Sequence, residues 1–72
     1  MDKRTIDGIT NRYVSEDNYE VKDDRVVIQD DERGAYDKAI IVSEKISERG
    51  QSCFINDDFT DRVEIKLTNQ NS

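Results

Sequence analysis

Four residues, Asp37, Ile41, Glu44 and Glu48, follow one another at helical spacing. At about 100° per residue they stack along a single helix face, opposite the face that must be buried. The chemistry of such a stripe is recognition rather than catalysis. Three carboxylates surround one aliphatic side chain, with Lys38 and Lys45 to one side. An apolar anchor ringed by negative charge suits a basic groove on another macromolecule. The same stripe also describes an ordinary solvated helix face, softened by charge pairs three or four residues apart and carrying one exposed aliphatic residue.

Other residue types exclude more than they offer. Histidine is absent, which removes the commonest general base and the commonest transition-metal ligand. A serine or cysteine nucleophile would lack its usual partner. The single cysteine, Cys53, falls beside Phe54 and Ile55 and reads as a buried structural thiol. Asp30-Asp31-Glu32 offers oxygen donors for Mg²⁺ or Ca²⁺, but reads more simply as helix capping beside a solvated loop. Asn56-Asp57-Asp58 with Asp61 lacks the spacing, central glycine and terminal glutamate of a calcium loop. The glycines, Gly8, Gly34 and Gly50, are too far apart for a phosphate cradle. No metal, no cofactor and no enzymatic activity are expected.

Composition bounds the partners. The chain has 72 residues, so one domain is expected; 33% are hydrophobic, 39% are charged and the net charge is −6. A domain of this size buries a modest core. Its acidity disfavours direct contact with nucleic-acid phosphates and with anionic membranes. It favours proteins with basic surfaces, including those that themselves hold nucleic acid. A lone cysteine excludes an internal disulfide framework. No apolar run is long enough to span a bilayer, no signal-peptide layout opens the chain, and a cytoplasmic location is expected.

The elements that must position the stripe are legible in part. Residues 1–17 mix helical spacing (Ile6, Ile9, Tyr13, Val14) with an Asp7-Gly8 turn signal, and read as a poorly defined lead-in or a short helix. Tyr19 and Val21 alternate with polar residues, and the β-branched run at residues 25–29 follows. Two strands joined at Asp23-Asp24 are the simplest account, although Asp-Asp is a weak hairpin turn because such turns favour positive φ. Asp30 or Asp31 can cap the next helix. Its body, residues 35–49, places Tyr36, Ala39, Ile40, Val42, Ser43 and Ile46 on one broad face. Gly50 ends it. Two more strands, residues 52–56 and 62–68, flank an acidic loop, and residues 69–72 form a frayed polar tail. The expected fold is α+β with β-β-α-β-β order over residues 18–68: one helix on a mainly antiparallel sheet.

The leading functional expectation is a small acidic protein that inhibits or modulates a nucleic-acid-handling protein by presenting a partial nucleic-acid mimic. Asp37, Ile41, Glu44 and Glu48 would form one patch, with Asp30, Asp31, Asp57 and Asp58 adding charge from loops. In size and charge the chain is similar to phage-encoded inhibitors, anti-restriction and anti-CRISPR proteins among them, and such a protein would act in the host cytoplasm. No motif ties it to a named family. The alternative is a structural adaptor or homodimer that pairs through a sheet edge.

Overall fold

Strand β4 shows how sequence becomes sheet. Val63, Ile65 and Leu67 alternate with Glu64 and Lys66, and the strand spans Val63–Leu67. Its apolar residues turn toward two helices and into the core, while Glu64 and Lys66 take the other face. In a computed structural model describing residues 2–29 and 32–68, the other elements are α1 (Lys3–Asn11), a single 3-10 turn (Glu16–Asn18), β1 (Tyr19–Val21), β2 (Arg25–Ile28), α2 (Glu32–Glu48) and β3 (Cys53–Asn56). Asp30 and Asp31, expected as helix caps and as charge in the loop, lie outside the described residues, as do the tail at 69–72 and the side chains of Glu32 and Arg33.

The architecture is α+β: two helices and one four-stranded antiparallel sheet of order β1-β2-β4-β3. The fold expected over residues 18–68 carries one helix; α1, in the segment that read as a lead-in or a short helix, is the second. Asp2 caps it, accepting from the Thr5 amide at 2.9 Å, and this bond holds the Asp2 carboxyl below its ordinary value. Ile6 and Ile9, three residues apart, are buried together with Val14. The Asp7-Gly8 turn signal loses because Gly8 sits on the exposed side, where a helical glycine costs only about 1 kcal/mol. The Thr10 hydroxyl, fully buried, donates back to the Ile6 carbonyl at 2.8 Å.

The β1–β2 hairpin closes through the Lys22 amide, which donates to the Arg25 carbonyl at 2.7 Å. Neither Asp23 nor Asp24 adopts positive φ. The Leu67 amide binds the Asp24 carbonyl at 2.8 Å, so the neighbouring strand holds a turn that local chemistry alone favours weakly. The core joins Val26 and Ile28 of β2, Val63 and Ile65 of β4, and Ala35, Ala39, Val42 and Ile46 of α2 with the α1 isoleucines. Among the described residues no buried side-chain nitrogen or oxygen lacks a hydrogen-bond partner.

Candidate partner-binding surface

Helix α2 presents the stripe because its buried row is so regular. Ala35, Ala39, Val42 and Ile46 are all 1% exposed or less. Residues two positions on from each, Asp37, Ile41, Glu44 and Glu48, lie about 200° round the helix and point to solvent. The expected buried face was rotated slightly. Tyr36 is exposed, and Ile40 and Ser43 are half-buried, whereas Ala35 belongs to the core. Ala35 and Ala39, both buried, hold the inward face of the helix, and Tyr36, 41% exposed, falls outside it.

The C-terminal end of the helix is fixed by a Schellman motif. The Gln51 amide donates to the Ile46 carbonyl at 3.4 Å, the Gly50 amide to that of Ser47 at 2.9 Å, and Gly50 takes φ 96°. From Asp37 to Glu48 the stripe runs about 16 Å at 1.5 Å per residue.

Its charges are not equivalent. Among the described residues, neither Asp37 nor Glu44 has an ion pair, whereas Glu48 lies 3.9 Å from the Lys45 ammonium. Glu48 also lines a shallow cleft of about 240 Å³ between the ends of the two helices, shared with Arg12, Lys45 and Arg49. The stripe is therefore most negative in its first half, on either side of Ile41, and is neutralised at its far end.

Strand register decides which loops lie beside that first half. Tyr19 pairs with Ile28, Ile28 with Val63, and Asn56 with Glu64. The start of β1, the end of β2 and the β3–β4 loop therefore share one end of the sheet, and α2 starts from that end. Glu16, Asp17, Asp57 and Asp58 are exposed there. The Asp58 amide is tied to the Asn56 side chain at 3.2 Å. Asp61, in the same loop as Asp57 and Asp58, is paired with Arg62 at 2.8 Å. The opposite end carries Asp23 with Lys3 at 3.5 Å, and Asp24 with Arg25 at 3.0 Å; the Arg25 bond lowers the Asp24 carboxyl.

The open face of the sheet was missed from sequence. Glu64, on the face of β4 turned away from Val63 and Ile65, is 3% exposed. Arg25 reaches one of its oxygens at 3.4 Å and Arg62 the other at 3.2 Å. The Arg62 guanidinium also stacks on Phe59, 3.9 Å from the ring centroid. Val27, opposite Glu64 in the strand register and on the same face, is 7% exposed. The only signal for these ion pairs in the sequence was the two-residue spacing of Arg62 and Glu64; Arg25 lies 39 residues away. Cys53 is half-buried rather than fully buried, its thiol donating to the Ser43 carbonyl at 3.5 Å, and burial pushes its pKa up. That disfavours the thiolate and hence nucleophilic chemistry.

Among the described residues, no group of three or more acidic or cysteine side chains is arranged to hold a metal ion, and no helix is long and apolar enough to cross a membrane. Known protein families, curated proteins and solved structures provide no match to this chain.

Proposed function

We propose that the protein is a small acidic binding module that docks on the cationic surface of a nucleic-acid-handling protein and thereby inhibits or modulates it. The observation that carries this reading is the solvent-facing row Asp37–Ile41–Glu44, whose carboxylates have no cation of their own among the described residues. Ile41, 39% exposed, supplies the apolar anchor. Asp57 and Asp58 extend the negative field beyond the start of the helix. Charge complementarity sets which partner is met and how fast.

The mimicry is partial. Duplex DNA would carry about 20 charges over the 35 Å of the longest dimension, against a net −6 here. The module therefore fits one stretch of a nucleic-acid channel rather than its whole length. A phage-encoded inhibitor of a restriction or CRISPR system is one setting in which such a module acts, and the host cytoplasm is where it would meet its target.

The test is capture from cell extract with two charge-matched variants as controls. One carries Asp37→Asn, Glu44→Gln and Glu48→Gln; the other carries Glu20→Gln, Asp23→Asn and Asp24→Asn. The wild type and the second variant should retain nucleic-acid-binding proteins that double-stranded DNA or high salt displaces, and the first variant should not. Equal capture by both variants would remove the α2 stripe from the account.

A further inference from the structure

We infer that β3 is a self-pairing edge, and that two copies of the chain join there into one continuous sheet with Phe54 of each copy facing Phe54 of the other.

The inference starts from the two edges of the sheet, which differ. β1 is three residues long and carries Glu20 between its apolar residues, with Asp17 and Lys22 close by. Charged, short edges resist pairing with other strands. β3 is Cys-Phe-Ile-Asn, without a charge, a proline or a bulge. Phe54 stands on its open face at 52% exposure, the most exposed large apolar side chain described.

The backbone of β3 is poised for a partner. The Thr68 amide donates to the Ser52 carbonyl at 3.0 Å, which makes Ser52–Thr68 a hydrogen-bonded pair. Antiparallel ladders alternate, so Phe54–Lys66 and Asn56–Glu64 are hydrogen-bonded pairs too. The N–H and C=O groups of Cys53 and Ile55 therefore point away from β4, off the edge of the sheet. No described residue binds them.

Parity then restricts the geometry. In an antiparallel pair across a two-fold axis, outward-pointing residues must meet outward-pointing residues. With only Cys53 and Ile55 available, the axis passes at Cys53, Phe54 or Ile55. An axis at Cys53 leaves most of β3 without a partner strand. An axis at Ile55 places Asp57 opposite Cys53 of the other copy and draws the two acidic loops together. An axis at Phe54 pairs Cys53 with Ile55 twice over and uses every outward backbone group of both residues. It sets the two Phe54 rings directly opposite, as a close pair that is not hydrogen-bonded, where aromatic partners stabilise sheets most. It also runs Asp57 and Asp58 of one copy toward Gln51, Gly50 and Arg49 of the other, so that acid approaches a cation and not acid.

One strand pair is a small interface, so the dimer is weak, with Kd on the order of 10–1,000 µM. Each copy carries a net −6. Salt therefore screens repulsion and strengthens the dimer, the opposite of its effect on binding to a basic partner.

Sedimentation equilibrium on the full chain from about 1 µM to 1 mM tests the association. The wild type should pass from one to two chain masses, more readily at high salt. Phe54→Lys, a substitution at an exposed site, should lower the association constant at least tenfold while leaving the circular dichroism spectrum unchanged. Oxidative crosslinking tests the register in a Cys53→Ser background. Phe54→Cys should form a symmetric disulfide, because Cα atoms opposite each other in such a pair lie within bridging range. Ile55→Cys and Asn56→Cys should not. A wild type that stays at one chain mass to millimolar concentration, a Phe54→Lys variant that associates as the wild type does, or a preferred crosslink at position 55 would each overturn the proposal.

Discussion

The solvent side of α2 and the open face of the sheet draw on the same charged residue types and use them in opposite ways. On the sheet, Glu64 is almost wholly buried and both of its oxygens are held by arginines, so its charge is cancelled where it stands. On the helix, Asp37 and Glu44 project into water without a paired cation among the described residues, so their charge is felt at a distance. The first arrangement stabilises a fold; the second leaves a field for another molecule. Counting carboxylates along the chain cannot tell the two apart, because the distinction lies in which cation each one reaches.

That contrast can be broken by mutation, and the largest effect on stability belongs to the sheet. Glu64→Ala leaves Arg25 and Arg62 without their shared partner and opens a gap over Val27. Both arginines are about a third exposed and regain water, so the loss is about 1–3 kcal/mol, below that of a fully buried pair. Urea denaturation should record it as a lower midpoint at unchanged slope. Gly50→Ala comes next. A side chain at φ 96° strains the Schellman turn that ends α2, at about 1 kcal/mol in the same assay. Asp37→Ala and Glu44→Ala mark the small end, within about 0.5 kcal/mol of wild type, because surface positions without partners carry little stability. If these two destabilised as much as Glu64→Ala, the contrast between the faces would disappear.

Alkaline titration sharpens the same comparison. The Tyr19 hydroxyl donates to the Asp7 carboxylate at 2.8 Å, tying β1 to α1. Burial and then that bond push its pKa up to about 12 from an ordinary 10.0. A raised folded value means that the contribution is complete below pH 10 and is lost as pH climbs toward 12. Wild-type stability should fall across that window, and Tyr19→Phe should remove the Tyr19 component of the fall.

What was legible in the sequence followed local rules. The alternation at Val63, Ile65 and Leu67 gave β4 its inward face. Gly50 marked the end of α2, and the spacing of Asp37, Ile41, Glu44 and Glu48 placed them on one exposed face. What was illegible depended on contacts distant in sequence. Helix α1 was obscured because Asp7-Gly8 is a turn signal that only the burial of Ile6 and Ile9 overrules. The pairing that buries Glu64 left no local signal, because Arg25 arrives from 39 positions away. The gathering of Glu16, Asp17, Asp57 and Asp58 at one end follows from the strand order β1-β2-β4-β3, which no local pattern encodes. The face of α2 was misjudged by part of a turn because hydrophobicity ranks Tyr36 above Ala35, whereas close packing on a sheet favours the smaller side chain.

The most direct test of recognition by the α2 stripe is an amide NMR titration of the protein with an oligolysine peptide of about ten residues at low salt. Saturable shifts should concentrate at Asp37, Ile41, Glu44, Asp57 and Asp58, and should vanish at high salt and in the variant with Asp37, Glu44 and Glu48 neutralised. Shifts spread evenly over every exposed carboxylate, unchanged by that variant, would contradict the account: the helix face would then be no more than solvated surface.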